Sequence, residues 1–191
     1  MTNVTIFGAG SMGTAVDEIL SAGGASVDHI RSRDTDKTVT GDIVILAAPY
    51  TAFKDITSRY GDQLAGKIVV DMSNPINHET FDSLVVPPDS SAAAELAGSL
   101  PSSRVLKAFN TNFAVTLGAK SVGPNKTTVL VAGDDDAAKS ALIDAIKAGG
   151  LDAIDAGGLG RARELEAIGF LQVFLAAREQ ISWTGGFAVV S

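Results

Sequence analysis

Gly8, Gly10 and Gly13 follow directly on the apolar run Val4-Thr5-Ile6-Phe7. In this spacing the first glycine makes a tight turn, the second lets backbone approach a pyrophosphate, and the third lets the next helix pack closely on its strand. The helix N-terminus at Ser11 and Met12 would present free N–H groups and a positive dipole end to phosphate oxygens. Met12, Val16, Ile19 and Leu20 share one face of that helix, and Gly23 is placed to stop it. A strand, a glycine turn and an amphipathic helix in this order predict a dinucleotide site.

The dinucleotide is chosen at the end of the next strand, Ser26 to Ile30. About 20 residues beyond the glycines an NAD site places an acidic residue on the ribose hydroxyls. Here the strand ends in Arg31-Ser32-Arg33 instead. A hydroxyl and a planar guanidinium suit a 2′-phosphate, and Lys37 is close enough in sequence to add a point charge. The pattern favours NADP(H), although Asp34 and Asp36 offset part of the local positive field.

Three further motifs close apolar strands: Ala48-Pro49-Tyr50, Ser73-Asn74-Pro75 and Asn110-Thr111-Asn112. Ligands in open α/β sheets sit at such carboxyl ends. Pro49 and Pro75 have no N–H to leave unsatisfied against an apolar ring, so a nicotinamide is expected between them. His78 is the side chain near that edge that titrates near neutrality; it either donates a proton to an acceptor or is a solvated loop residue. His29 lies within the second strand and is read as structural. Lys107 and Asn110 are either a catalytic pair or groups that satisfy neighbouring carbonyls. Neither metal-ligand spacing nor a base near Ser91 in sequence is present.

The elements that must position these groups alternate as strand and helix. Strands are predicted at Asp42 to Pro49, Lys67 to Met72, Arg104 to Phe109, Thr127 to Ala132 and, weakly, Leu151 to Asp155. Helices are predicted over 51–65, Ala137 to Ala148 and Arg161 to Ser182. The fold class is α/β, a Rossmann-type, doubly wound and mostly parallel sheet. Only eight residues separate Arg33 from Asp42, whereas a parallel crossover needs about a dozen. The helix after the second strand must be shrunken or absent, leaving the adenosine side open.

At 191 residues and 46% hydrophobic content the chain can bury one substantial core. We expect one dinucleotide-binding domain over 1–191, with 156–191 a helical segment that walls the acceptor pocket or meets a second subunit. A net charge of −7 argues against nucleic acid and anionic membranes as partners. The absence of cysteine excludes disulfides and thiolate chemistry. The first strand begins at once, which leaves no signal peptide, and a cytoplasmic location is expected.

The motifs Gly8-Ala9-Gly10-Ser11-Met12-Gly13, Ser32-Arg33, Asp71-Met72-Ser73-Asn74-Pro75, Ser91-Ala92-Ala93-Ala94-Glu95, Val105 to Thr111, Val131 to Asp135 and Arg161 to Glu166 together resemble the NADPH:coenzyme F420 (8-hydroxy-5-deazaflavin) oxidoreductases. The likeness runs over nearly the whole chain. The pattern is also similar to the reductase domain of membrane ferric reductases, where a flavin accepts the hydride. The resemblance implies an NADPH-dependent oxidoreductase with a small-molecule hydride acceptor, a flavin or deazaflavin, and places Ser32, Arg33 and Lys37 on the 2′-phosphate. The compact form leaves the acceptor open. A small imine or carbonyl reductase of similar fold and a non-catalytic NADP(H) sensor are the alternatives.

Leu165, Ile168, Leu171, Gln172 and Leu175 mark one face of the last helix, and Phe170, Val173, Phe174, Ala177 and Ile181 another. A helix apolar over more than one stripe needs cover beyond a single core. A homodimer through this helix is therefore expected, with Trp183 to Phe187 lining the same cavity as the acceptor.

Overall fold

The computed structural model describes residues 2–190. The chain forms β1 (Asn3–Phe7), α1 (Ser11–Ala22), β2 (Ser26–Ile30), β3 (Ile43–Leu46), α2 (Phe53–Leu64), β4 (Ile68–Asp71), α3 (Ala92–Ser99), β5 (Arg104–Lys107), α4 (Ala114–Ala119), a two-strand hairpin of β6 (Ser121–Val122) and β7 (Asn125–Lys126), β8 (Thr128–Gly133), α5 (Asp136–Ala148), β9 (Asp152–Gly157) and α6 (Ala162–Ala177). The main sheet has seven strands in the order β2-β1-β3-β4-β5-β8-β9.

Ile43-Val44-Ile45-Leu46 is apolar at every position because neither face of the sheet meets water. Ile43 and Ile45 pack with α1, α4 and α5 through Val16, Ile19, Leu117, Leu142 and Ile146. Val44 and Leu46 pack on the other side with Phe53, Tyr60, Leu64 and Leu96 of α2 and α3. The doubly wound class expected from the sequence is the one observed.

The crossover after β2 carries no helix. β2 lies at the sheet edge, and the chain returns across β1 to form β3 on its far side. At Gly41 the passage is so close that a Cβ would lie 2.4 Å from the Thr5 nitrogen. Side chains replace the absent helix in holding this segment. Tyr60 Oη donates to the Asp34 carbonyl at 3.2 Å, Gln63 Oε1 accepts from Val39 N at 2.8 Å, and Thr5 Oγ1 accepts from Gly41 N at 2.8 Å.

Some expectations need correction. The sheet is mostly parallel as expected, and the exception falls at one place: β8 pairs antiparallel to β5 through Leu106–Gly133 and Lys107–Ala132, and β9 then follows β8 in parallel. The link between β5 and β8 holds a six-residue helix and a hairpin. Helix α3, α4 and the hairpin were not expected from periodicity, since each is short. The last helix ends at Ala177 rather than Ser182. Glu179 takes φ +59°, and its N–H and that of Gln180 donate to Ala176 and Leu175, a left-handed termination without the usual glycine.

α6 is attached to the sheet by ions. Lys107, at the end of β5, is fully buried, and its ammonium donates to Asp71 Oδ2 at 2.8 Å, Glu166 Oε1 at 2.8 Å and the Ser73 carbonyl at 2.7 Å. Glu166, on α6, also accepts from Ala92 N at 3.1 Å and Ala93 N at 3.4 Å, the first amides of α3. Asp71 uses its other oxygen on Ser73 N at 2.7 Å. Burial pushes the Glu166 carboxyl above the ordinary range, against the opposing pull of Lys107.

A carboxyl raised in the folded state contributes stability that is full below its unfolded value, about 4.3, and is lost as pH rises through the folded value. The difference in unfolding free energy between wild type and Glu166→Gln should therefore fall as pH rises from 4 towards neutrality in urea titrations. Parallel stability curves would contradict this. Lys107→Met strands both carboxylates and is expected to cost about 3–5 kcal/mol.

Candidate functional site

The glycine turn joins β1 to α1. Gly8 N–H donates to the Ile30 carbonyl at 2.9 Å, drawing β2 into the same edge. Gly8 has φ +116°, and a Cβ there would lie 2.3 Å from the Ala47 carbonyl oxygen. At Gly13 a Cβ would meet the Gly8 oxygen at 3.1 Å and Ala47 Cβ at 3.3 Å, so helix and strand are packed to the limit. Gly10 differs from both: no atom lies within 4 Å of where its Cβ would point. Gly10 also caps α1 with no side-chain hydrogen bond and no acidic residue in the first turn, leaving the helix dipole end uncompensated. His29 is structural as expected, bridging the Gly8 carbonyl through Nδ1 at 2.7 Å and the Asp17 carboxylate through Nε2 at 2.9 Å.

Two cavities open from this turn. The first, of about 610 Å³, runs from Gly8, Ala9 and Gly10 past Arg31, Ser32 and Arg33 to a wall formed by α2. Lys37 does not line it. Its ammonium is spent on the His29 carbonyl at 2.6 Å and Asp28 at 3.3 Å, at the outer side of β2. Arg59 of α2 also lines the cavity; it is remote in sequence from both the glycine turn and the strand end, and no local motif marks it.

The second cavity, of about 340 Å³, gathers Met12, Ala48, Pro49, Tyr50, Asn74, Pro75, His78 and Asn110 from four separate segments. Ala48 and Pro49 line both cavities, so the two lie side by side at this strand end. Tyr50 hydrogen-bonds the Glu95 carboxylate, and this bond, with burial second, pushes its phenol up to about 12. Asn74 and Asn110 clasp each other: Asn110 Nδ2 donates to Asn74 Oδ1 at 2.9 Å and to the Leu165 carbonyl at 2.8 Å, and Asn74 Nδ2 donates to the Asn110 carbonyl at 2.9 Å. Gly169 of α6 admits this pair, since a Cβ there would lie 2.3 Å from Asn74 Oδ1. Ser73 Oγ, Asn110 Oδ1 and Asn112 Oδ1 have no partner among the described residues, and all three residues line this cavity.

Lys107 and Asn110 are not a catalytic pair. Lys107 is wholly buried in its ion cluster and lines neither cavity, and Asn110 is committed to Asn74 and Leu165. His78 lies exposed at the cavity mouth, with its ring edge-on to Phe81 at 5.6 Å. Trp183 joins the lining and packs on Phe113 at 5.2 Å. Phe187 does not line it: its N–H donates to Gln172 Oε1 at 3.0 Å, and the ring remains 44% exposed. Among the described residues no group of His, Asp or Glu could hold a metal, and no helix is long and apolar enough to cross a membrane. An open backbone cradle at Gly10, an uncapped helix end, unpaired arginines and orphaned amide oxygens fit a phosphorylated dinucleotide with a carboxamide.

No protein-family model matches the chain. It is 34% identical over 172 residues to the F420-dependent NADP reductase of Methanocaldococcus jannaschii, covering 88% of this chain and 77% of that one. It is 36% identical over 133 residues to the metalloreductase STEAP3 of Rattus norvegicus, covering 70% of this chain and only 26% of that protein. In structure it is similar over 100% of both chains, with a TM-score of 0.86 and 21% identity, to an Arthrobacter sp. FB24 protein assigned as an F420-dependent NADP reductase. A Bacillus cereus imine reductase shares the fold at TM-score 0.65 and 19% identity, with 63% of its length covered.

The glycine geometry predicts two different failures. Gly8→Ala should destabilise the fold, because the added Cβ meets the Ala47 carbonyl in a strained backbone region. Gly10→Val should keep the circular dichroism spectrum and lose NADPH binding in fluorescence titration. Retained micromolar binding by Gly10→Val would rule out the cradle.

Proposed function

The chain belongs to the F420-dependent NADP reductase family, and from that premise we propose that it carries hydride between NADP(H) and a flavin or deazaflavin acceptor. The observation that carries this reading is that two cavities adjoin at Ala48 and Pro49, one edged by arginines and the glycine turn, the other by prolines and amides.

In this reading Gly8, Gly10 and Gly13, with the amides of Ser11 and Met12, cradle the pyrophosphate. Ser32 and Arg33 take the 2′-phosphate. Ala48, Pro49, Tyr50, Asn74, Pro75 and Asn110 surround the nicotinamide. When bound, NADPH supplies a hydride from carbon 4 of that ring. The chain's own contribution is orientation and exclusion of water, which requires stiff walls more than titrating groups. Pro49 and Pro75 supply such walls, the Asn74–Asn110 clasp fixes one side, and Glu95 holds the Tyr50 phenol protonated. His78, exposed at the mouth, at most donates a hydrogen bond to the acceptor.

We place the whole chain in one dinucleotide-binding domain, acting in the cytoplasm as a homodimer. Val173 and Trp183 of the 156–191 segment support a part in the acceptor cavity. Its apolar outer side supports dimerisation: Leu171 is 47% exposed, and Phe170 and Phe174 pack on each other at 6.1 Å.

Stereospecifically deuterated NADPH tests the chemistry. The label is expected in a deazaflavin acceptor, whose reduced carbon does not exchange its hydrogen, and His78→Ala should cost less than about tenfold in turnover, or about 1.4 kcal/mol. Loss of label to solvent, or a defect of about a thousandfold in His78→Ala, would favour proton-assisted imine or carbonyl reduction. For the dimer, Phe174→Glu places a charge in the interface and should yield monomer or aggregate in sedimentation. A wild-type monomer at micromolar concentration would end that part of the proposal.

A further inference from the structure

We propose that Arg59, on α2, is a specificity-determining residue that grips the 2′-phosphate of NADP(H) from the side opposite Arg33. This rests on the cofactor reading above and assigns a residue that neither the glycine motif nor the strand-end motif contains.

The seven arginines of the chain divide into two groups. Every arginine outside the larger cavity spends its guanidinium on the protein. Arg104 donates to the Gly66 carbonyl at 2.7 Å, Arg161 pairs with Glu164 at 2.6 Å, Arg163 donates to the Pro87 and Ser90 carbonyls, and Arg178 lies 4.7 Å from the centre of the Phe174 ring. Arg31, Arg33 and Arg59 line the cavity, are exposed, and have no side-chain partner among the described residues. Asp55, one helical turn before Arg59, is the single carboxylate in the lining. A chain of net charge −7 thus gathers three unpaired guanidiniums against one acid around one opening. That local concentration of uncommitted donors suits a phosphate dianion.

The architecture explains why the cation comes from α2. No helix follows β2 and Lys37 is committed to Asp28 and the His29 carbonyl, so neither closes the ribose side. α2 is instead tied to the Arg31–Asp34 turn by Tyr60, the residue next to Arg59, whose hydroxyl donates to the Asp34 carbonyl at 3.2 Å and whose ring packs edge-on to Phe7 at 4.9 Å. Arg59 is therefore held on a rigid element facing the strand end that carries Ser32 and Arg33. A planar guanidinium there offers paired donors to phosphate oxygens, which a solvated lysine does not.

Titration calorimetry on the full chain with NADPH, NADH, 2′,5′-ADP and 5′-ADP tests this. Arg59→Gln should weaken NADPH and 2′,5′-ADP by about ten- to a hundredfold. NADH and 5′-ADP should stay within about twofold, and the salt dependence of NADPH binding should flatten. Arg59→Lys should recover part of the loss. Because Arg59 is exposed, unchanged circular dichroism is expected and serves as the folding control. Equal weakening of the ligands with and without the 2′-phosphate would mean adenine stacking and overturn the proposal, as would no weakening at all. A wild type that binds NADPH no better than NADH would overturn the NADP(H) preference together with this role. A preference that survives in Arg59→Gln at its full wild-type size would overturn this role alone.

Discussion

One buried ammonium organises the region on which the candidate site stands. Lys107 has no contact with water, and its three hydrogen bonds reach β4 through Asp71, the β4–α3 loop through the Ser73 carbonyl and α6 through Glu166. Glu166 in turn caps the first amides of α3. Two carboxylates around one ammonium leave an excess negative charge in the interior, offset by the positive end of α3 and relieved by the raised carboxyl of Glu166. The cluster fixes the register of α6 together with the Asn110 bond to the Leu165 carbonyl and the Arg163 bonds to Pro87 and Ser90. With it, Leu165, Gly169 and Gln172 face inward, Gly169 meets the Asn74–Asn110 clasp, and Val173 reaches the acceptor cavity.

The second constraint is the short connection between β2 and β3. It saves a helix but leaves a groove beside the glycine turn, and α2 closes that groove from the opposite direction. The same helix buries Phe53, Tyr60 and Leu64 in the core, fastens the connection through Tyr60 and Gln63, and turns Asp55 and Arg59 to the opening. Economy in one segment thus places demands on residues far away in sequence. The acidic balance of the chain is compatible with an anionic ligand because its positive charge is local: arginines elsewhere are paired with their own protein, and those at the cavity are not.

The glycine turn, the Arg31-Ser32-Arg33 strand end and the proline-edged strand ends were legible in the amino-acid order because each is a local device. A positive φ at Gly8, an open cradle at Gly10 and a missing acid after β2 depend on residues only a few positions apart, and the short crossover follows from counting. The apolar runs likewise reported strands covered on both faces. Other features left no local trace. β8 pairs antiparallel to β5, and nothing in its own composition distinguishes it from a parallel strand. α6 ends at Ala177, and Glu179 just beyond it takes the left-handed conformation that a glycine would have announced.

What tertiary structure alone decided is which polar residues meet. Lys107 and Glu166 lie 59 positions apart, so neither could be assigned a partner from sequence, and from its neighbours alone Lys107 could only be set between a catalytic pair with Asn110 and a strand residue satisfying nearby carbonyls. Lys37 looked like a phosphate ligand from its nearness in sequence, yet it turns to Asp28 and the His29 carbonyl, while Arg59 comes to the cavity from another helix. The sequence by itself determined a dinucleotide-binding α/β fold and the turn that makes it one. Long-range packing decided the rest, because the energy of a buried charge or an unpaired guanidinium depends on what surrounds it in space and not on its neighbours along the chain.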